Sequence, residues 1–346
     1  MESIWFALLA TLITAYVVLD GFDLGAGAVH WWVGRNEDER AQVLRSIGPV
    51  WDGNEVCLIA AGGTLFLAFP RVYAAGFSGF YLPLMVALWL LVLRGIAIEL
   101  RGHLDDAIWR RMWDAVFAGA SVLLAVCLGA ALGNVVRGVP IDTSRSFFTP
   151  LWASLGEGSI GVFDAYTLLV GVTALLALSW HGSHWIAHRT DGVLRDRSRQ
   201  LARVLWGPVV LVSVALSFVT FFVQPQVGRQ MRMVWPLLGP VLAIAGLAFA
   251  RVQLNGGRDG RAFAGSAVFL VGLMVAMAAG IYPYLLPSTV DPALGLTVDN
   301  AAASANGLRI GLRWWIPGML LVTGYFVFLY RQVREKVGAF AGYDAH

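Results

Sequence analysis

The chain has 346 residues, 58% of them hydrophobic and 14% charged, with a mean hydropathy of +0.68. That balance excludes a soluble globular domain, and about nine apolar helices of ~20 residues would use most of the length. The formal net charge of +3 points to no nucleic-acid partner; the two cysteines, Cys57 and Cys127, fall in apolar runs where buried thiols are expected rather than a disulfide. The expectation is an all-α polytopic membrane protein, its helices arranged as bundles in a single integral membrane domain over residues 1–346.

In chain order the spans read as 4–32, 44–69, 74–100, 112–136, 160–187, 203–224, 234–252, 262–286 and 310–331. No basic segment precedes the first run and no small-residue cleavage site ends it before Asp20, so this helix is expected to be retained. Two spans carry clusters of acids. The first runs into Asp20-Gly21-Phe22-Asp23-Leu24-Gly25-Ala26-Gly27, and the second contains Trp51-Asp52-Gly53-Asn54-Glu55. The third carries Arg94 and Glu99. No internal repeat or low-complexity segment is visible.

Cations set the orientation. All but Lys336 are arginines, and they gather in alternate connections. The first carries Arg35, Arg40 and Arg45, and the third Arg101, Arg110 and Arg111. The fifth carries Arg189, Arg195, Arg197, Arg199 and Arg203, the seventh Arg251, Arg258 and Arg261, and the tail Arg331, Arg334 and Lys336. The intervening connections are poorer, and residues 287–308 carry none. By the positive-inside rule the N-terminus is outside and the C-terminus cytoplasmic, which an odd number of spans requires.

That orientation gives the acids a depth. With Trp31-Trp32 at the interface, Asp23 lies about 12 Å below it, and Asp52 reaches a similar depth from Leu44. Arg94 is deeper than Glu99 by roughly 7.5 Å, and the two do not share a helix face. Asp20 with Asp23, and Asp52 with Glu55, are spaced i,i+3 and do. A charge at the centre of a membrane helix costs ~2.5–3.5 kcal/mol on insertion scales, so such residues mark protein interiors or wet paths. Carboxyls in such a setting hold and pass protons, which makes a cytoplasmic half-channel the first hypothesis. The glycines beside them allow close helix approach and local unwinding.

The order of motifs is specific. Gly21-Phe22-Asp23-Leu24-Gly25-Ala26-Gly27, Gly34-Arg35-Asn36, Trp51-Asp52-Gly53-Asn54-Glu55-Val56, Phe69-Pro70, Gly133-Asn134 and Tyr282-Pro283 resemble subunit II of cytochrome bd-type quinol oxidases over nearly the whole chain. The resemblance implies an electrogenic terminal oxidase of a bacterial cytoplasmic membrane that oxidises quinol and reduces dioxygen to water. It implies a partner subunit I that carries haems b and d, quinone in the complex, surrounding lipids, small accessory subunits, and no cofactor in this chain. It further implies a proton path from the cytoplasm on Asp23, Asp52, Arg94 and Glu99, the last standing where the family usually has aspartate. Asp20, Trp51, Asn54 and Glu55 are expected to support it.

His181, His184 and His188 fall on one helix face, a spacing open to haem or metal, but without accompanying ligands they read as interfacial histidines beside Arg189. His30 and His103 read as headgroup neighbours. Two alternatives accompany the oxidase reading: a proton-coupled secondary transporter, which also uses Gly-interrupted helices with buried charges, and a purely structural subunit whose acids are inert.

Overall fold

A computed structural model of the chain describes residues 1–152, 160–333 and 335–338, so Arg334 lies outside the described residues. The chain is built from α1 (Glu2–Ala28), α2 (His30–Val33), α3 (Glu37–Ile47), α4 (Trp51–Ala68), α5 (Pro70–Gly79), α6 (Tyr81–Leu100) and α7 (Ala107–Arg137). It continues with α8 (Ala165–Arg189), α9 (Gly192–Val223), α10 (Pro225–Gln230), α11 (Leu238–Asn255), α12 (Asp259–Ile281), β1 (Tyr284–Leu286), β2 (Leu296–Thr297) and α13 (Ala305–Gln332). Among the described residues, eight helices are long and apolar enough to cross a membrane, or nine when α4 and α5 count as one bent span. The fold is all-α and polytopic.

Local chemistry sets most helix starts. Asn36 caps α3 by accepting from Glu39 N at 2.8 Å, and Glu37, Asp38 and Glu39 place negative charge on its first turn. Asp106 caps α7 through Trp109 N, and Asp164 with Thr167 forms a reciprocal capping box on α8. Pro70 has no N–H and opens α5, which leaves α4 at an angle of 120°.

These devices explain the shifted boundaries. Residues 44–47, read as the start of the second span, belong to α3, which is polar and amphipathic. The expected third span, 74–100, is cut by the break at Phe80: Pro70–Gly79 belongs to the bend after α4, and α6 starts at Tyr81. Hydropathy is continuous through the break at Phe80, so periodicity does not register it. In the fifth span the capping box moves the helix start from 160 to Ala165.

α1 is the central helix, packed against α8, α4, α7 and α12. Gly25 and Gly182 put α1 and α8 in backbone contact; a Cβ on Gly182 would run into the backbone of Gly25 and Ala26. α1 stays helical through Asp20–Gly27 and α4 through Asp52–Glu55, so the glycines serve close packing and the expected unwinding does not occur. At the N-terminal end of α1 an apolar cluster around Trp5, Phe69, Ile141, Leu286 and Leu308 closes the bundle beneath the β1–β2 hairpin. At the other end, Phe22, Val33, Ile47, Ala97, Phe117 and Trp185 form a second cluster.

Candidate functional site

The acids of α1 and α4 meet the arginine of α6 next to this second cluster. Arg94 is fully buried, and its Nη2 donates to Asp20 Oδ1 at 2.6 Å and to Glu55 Oε1 at 2.6 Å. The Asp20 side chain is wholly buried and that of Glu55 is 24% exposed, so the shared cation ties an interior carboxylate to one that reaches the surface. Asp23 is buried one turn along from Asp20, where its Oδ2 accepts from Asn54 Nδ2 at 2.7 Å. Among the described residues, Asp20 Oδ2, Asp23 Oδ1, Tyr16 Oη and Arg94 Nε and Nη1 are buried without a protein partner. Buried polar atoms are nearly always hydrogen-bonded, so this pocket is suited to ordered water.

The structure therefore brings Asp20, Asp23, Asn54, Glu55 and Arg94 together. It places Asp52 at the exposed start of α4, without a hydrogen-bond or ion-pair partner among the described residues, and Trp51 half-buried against Gly95. Glu99 is exposed on α6, where His103 Nδ1 lies 3.1 Å from its backbone carbonyl and its carboxylate has no partner among the described residues. Asp20 and Glu55, expected as supporting groups, are the direct partners of Arg94. The i,i+3 spacing placed them on the right faces; the register between helices, which decides who meets Arg94, is not contained in one sequence.

Tyr16, in the middle of α1, and Tyr330, near the end of α13, were absent from the expected site. A second buried network also escaped notice. Asp114 of α7, fully buried, accepts from His30 Nε2 at 2.9 Å, Arg40 Nε at 2.9 Å and Arg101 Nε at 2.6 Å, and Glu37 bridges Arg40 and Arg101. This corrects the reading of His30 as a headgroup neighbour: it is wholly buried because Asp114 offers it a partner inside the bundle. His103 is exposed, in keeping with that reading.

The α8 histidines also move. His181 and His184 are buried in the core rather than interfacial, while His188 is exposed. His181 engages Ser266 Oγ at 2.7 Å and the Val18 carbonyl at 3.1 Å, so both ring nitrogens are occupied. The His184 ring lies edge-on to Trp180 at 4.8 Å. Backbone contact at Gly25 and Gly182 leaves no slot for a haem macrocycle between α1 and α8, so these residues do not fit a haem. Among the described residues, no group of three or more His, Cys, Asp or Glu is arranged to hold a metal ion. Cys57 and Cys127 are both free thiols.

The sequence profile of the cytochrome bd terminal oxidase subunit II family matches residues 1–333. The chain belongs to that family. It is 30% identical to the cytochrome bd ubiquinol oxidase subunit 2 of Bacillus subtilis, with 97% of each chain covered. It is also 30% identical to the cytochrome bd-I ubiquinol oxidase subunit 2 of Escherichia coli K12, covering 94% of this chain and 93% of the relative. The bd oxidase of Geobacillus thermodenitrificans shares the fold, with a TM-score of 0.76 at 19% identity over 96% of this chain and 98% of that one. This subunit II is thus a multi-pass membrane component of an oxidoreductase complex, and the secondary-transporter alternative is not favoured.

Proposed function

We propose that this subunit II supports a haem-bearing subunit I in a quinol-oxidising terminal oxidase of a bacterial inner membrane, and that its acid–arginine cluster conducts protons from the cytoplasm toward the site of dioxygen reduction. The observation that carries the reading is the sharing of one buried guanidinium by Asp20 and Glu55, with Asp23 beside them. Full ionisation of three carboxyls against one cation leaves excess negative charge out of water, so the cluster retains exchangeable protons.

Asp52, Glu55 and Asp20 make a graded series from exposed through partly exposed to buried, which is the order a proton entering from one side would meet. Glu99 flanks the entrance on α6. The other exposed residues of α4 and α6 include Val56, Ile59, Trp89 and Ile96, an apolar face on which bare carboxylates would be costly in lipid. A protein partner on this face, subunit I, gives them a polar neighbour. Haems b and d belong to that partner, and quinone and small accessory subunits complete the assembly. The alternating arginine count supports an external N-terminus and a cytoplasmic C-terminus.

The test is quinol-driven oxygen uptake of the assembled complex, normalised to haem. Asp52→Asn keeps the volume and removes the titratable proton. Turnover should fall at least about tenfold with haem retained, and Asp52→Glu should keep more activity than Asp52→Asn. Unchanged turnover and pH profile in Asp52→Asn, and likewise in Glu55→Gln, would reduce the cluster to scaffold.

A further inference from the structure

We propose that Tyr330, on the last helix, is a positioning residue of the acid cluster: its hydroxyl holds the Asn54 amide so that the amide presents N–H to Asp23. The inference rests on the proton-conducting reading and adds α13 to the site.

The hydrogen bonds form a directed chain. Tyr330 Oη donates to Asn54 Oδ1 at 2.9 Å, and Asn54 Nδ2 donates to Asp23 Oδ2 at 2.7 Å and to the Leu19 carbonyl at 3.2 Å. Asn54 is wholly buried, so its polar atoms need partners inside the protein: both N–H groups have one, and the carbonyl oxygen has one. Leu19 O accepts only, which keeps the NH2 on the α1 side. Tyr330 is the donor to Oδ1, and without it a buried acceptor is stranded and the amide is free to tilt away from Asp23.

α13 reaches this point along the second apolar cluster, on which Leu329, Tyr330 and Val333 pack. Its buried residues come down to Leu308, at its start, yet its far end docks on α4 beside the cluster. Gly53 permits that approach: a Cβ there would sit 3.1 Å from Leu329 Cδ2. The glycine that precedes Asn54 is thus what lets the residue after Leu329 touch Asn54. The Tyr330 ring lies 6.4 Å from Trp185 and 6.3 Å from Phe326, contacts that a phenylalanine would keep.

Neither Tyr330 nor Asn54 need carry the proton. An amide has no proton that titrates near neutral pH, and the phenol's job is to donate one hydrogen bond. The exchanging atoms are those left without a protein partner, Asp23 Oδ1 and Asp20 Oδ2. The titratable and charged groups facing the Tyr330–Asn54–Asp23 chain are Tyr16 and Asp20 from α1, Asp52, Glu55 and Cys57 from α4, and Arg94 from α6.

The experiment uses the complete oxidase. Tyr330→Phe should lower haem-normalised turnover about 3- to 10-fold, the size one net hydrogen bond supports, with haem content and assembly unchanged and the thermal midpoint lowered by no more than about a few degrees. The pH profile of turnover should be displaced by about half a unit or more. Adding Tyr330→Phe to Asn54→Ala should slow the enzyme no further, since the tyrosine acts through the amide. The infrared carboxyl band that disappears in Asp23→Asn should move in both Tyr330→Phe and Asn54→Ala. Wild-type rate and pH profile in Tyr330→Phe, while Asp23→Asn is slow, overturn this proposal and leave the proton path standing. Wild-type behaviour of Asp23→Asn overturns the path itself. Loss of haem or assembly in Tyr330→Phe makes the residue a structural peg and overturns the proposal too.

Discussion

Replacing Arg94 by methionine removes the cation that Asp20 and Glu55 share while filling a similar volume. Both the Arg94 and Asp20 side chains are completely buried, and each ion pair is 2.6 Å long. Breaking a buried pair from one side costs about 3–5 kcal/mol, because the remaining charge is left uncompensated. Two carboxylates lose the same partner here, which places the loss at the upper end, tempered by the 24% exposure of Glu55. In a chain of this length that corresponds to a fall on the order of 10 °C in the apparent unfolding midpoint. The diagnostic is the second substitution. Asp20→Asn in the Arg94→Met background removes the stranded charge and should restore at least about half of the loss, a strongly non-additive cycle. The assay is the thermal midpoint of the detergent-purified complex for parent, single and double variants. Parental stability in Arg94→Met, or additive losses in the double variant, would refute the shared-cation account.

Gly182→Val should prevent α1 and α8 from closing, costing about 1–3 kcal/mol or more through overpacking and lowering the yield of assembled complex; a parental yield and midpoint would count against the backbone contact. Asp114→Asn weakens the acceptor for His30, Arg40 and Arg101 together and should destabilise by about 3–5 kcal/mol, read by the same thermal midpoint. Glu39, outside the membrane on α3, supplies a pH dependence. Burial pushes its carboxyl up, but hydrogen bonds from Arg197 and from Arg35 N–H outweigh that and hold it below its ordinary value of 4.5. A depressed carboxyl stabilises above its unfolded value and loses that contribution as pH falls through the folded one. Protection factors for amide exchange in residues 34–47, taken against the intrinsic rate at each pH, should therefore fall below about pH 4.5 in the parent, and Glu39→Gln should remove the dependence. Reporter fusions after Gln332 should read as cytoplasmic and fusions within 288–300 as external; reversed signals would refute the orientation.

Much of the membrane architecture was legible because helix-length apolar runs are their own signal. The pattern ended the second span correctly before Pro70; it missed the break at Phe80, which has no hydropathy change, and it began the second span inside α3, before the handover to α4 at Val50. The acids of α1 and α4 and the arginine of α6 stood out as costly residues in apolar spans. Their pairing did not, since which of Asp20, Asp23, Asp52 and Glu55 meets Arg94 depends on helix register across the bundle. Asp114 and His30 stayed hidden for a different reason. Each sits close to a predicted span end, where a polar residue needs no explanation, and only the fold shows that α2, α3 and the end of α6 enclose them. Tyr330 lies 276 residues from Asn54 in sequence, a contact no local pattern could announce.

Proton uptake during a single turnover tests the central claim most directly. The fully reduced complex is mixed with oxygen, haem absorbance follows oxygen binding and electron transfer, and a pH indicator dye follows uptake from the medium. With Asp23→Asn, oxygen binding should keep its parental rate while proton uptake slows by about tenfold or more. Proton uptake as fast as in the parent, with oxygen chemistry intact, would contradict a proton path through the Asp20–Asp23–Glu55–Arg94 cluster.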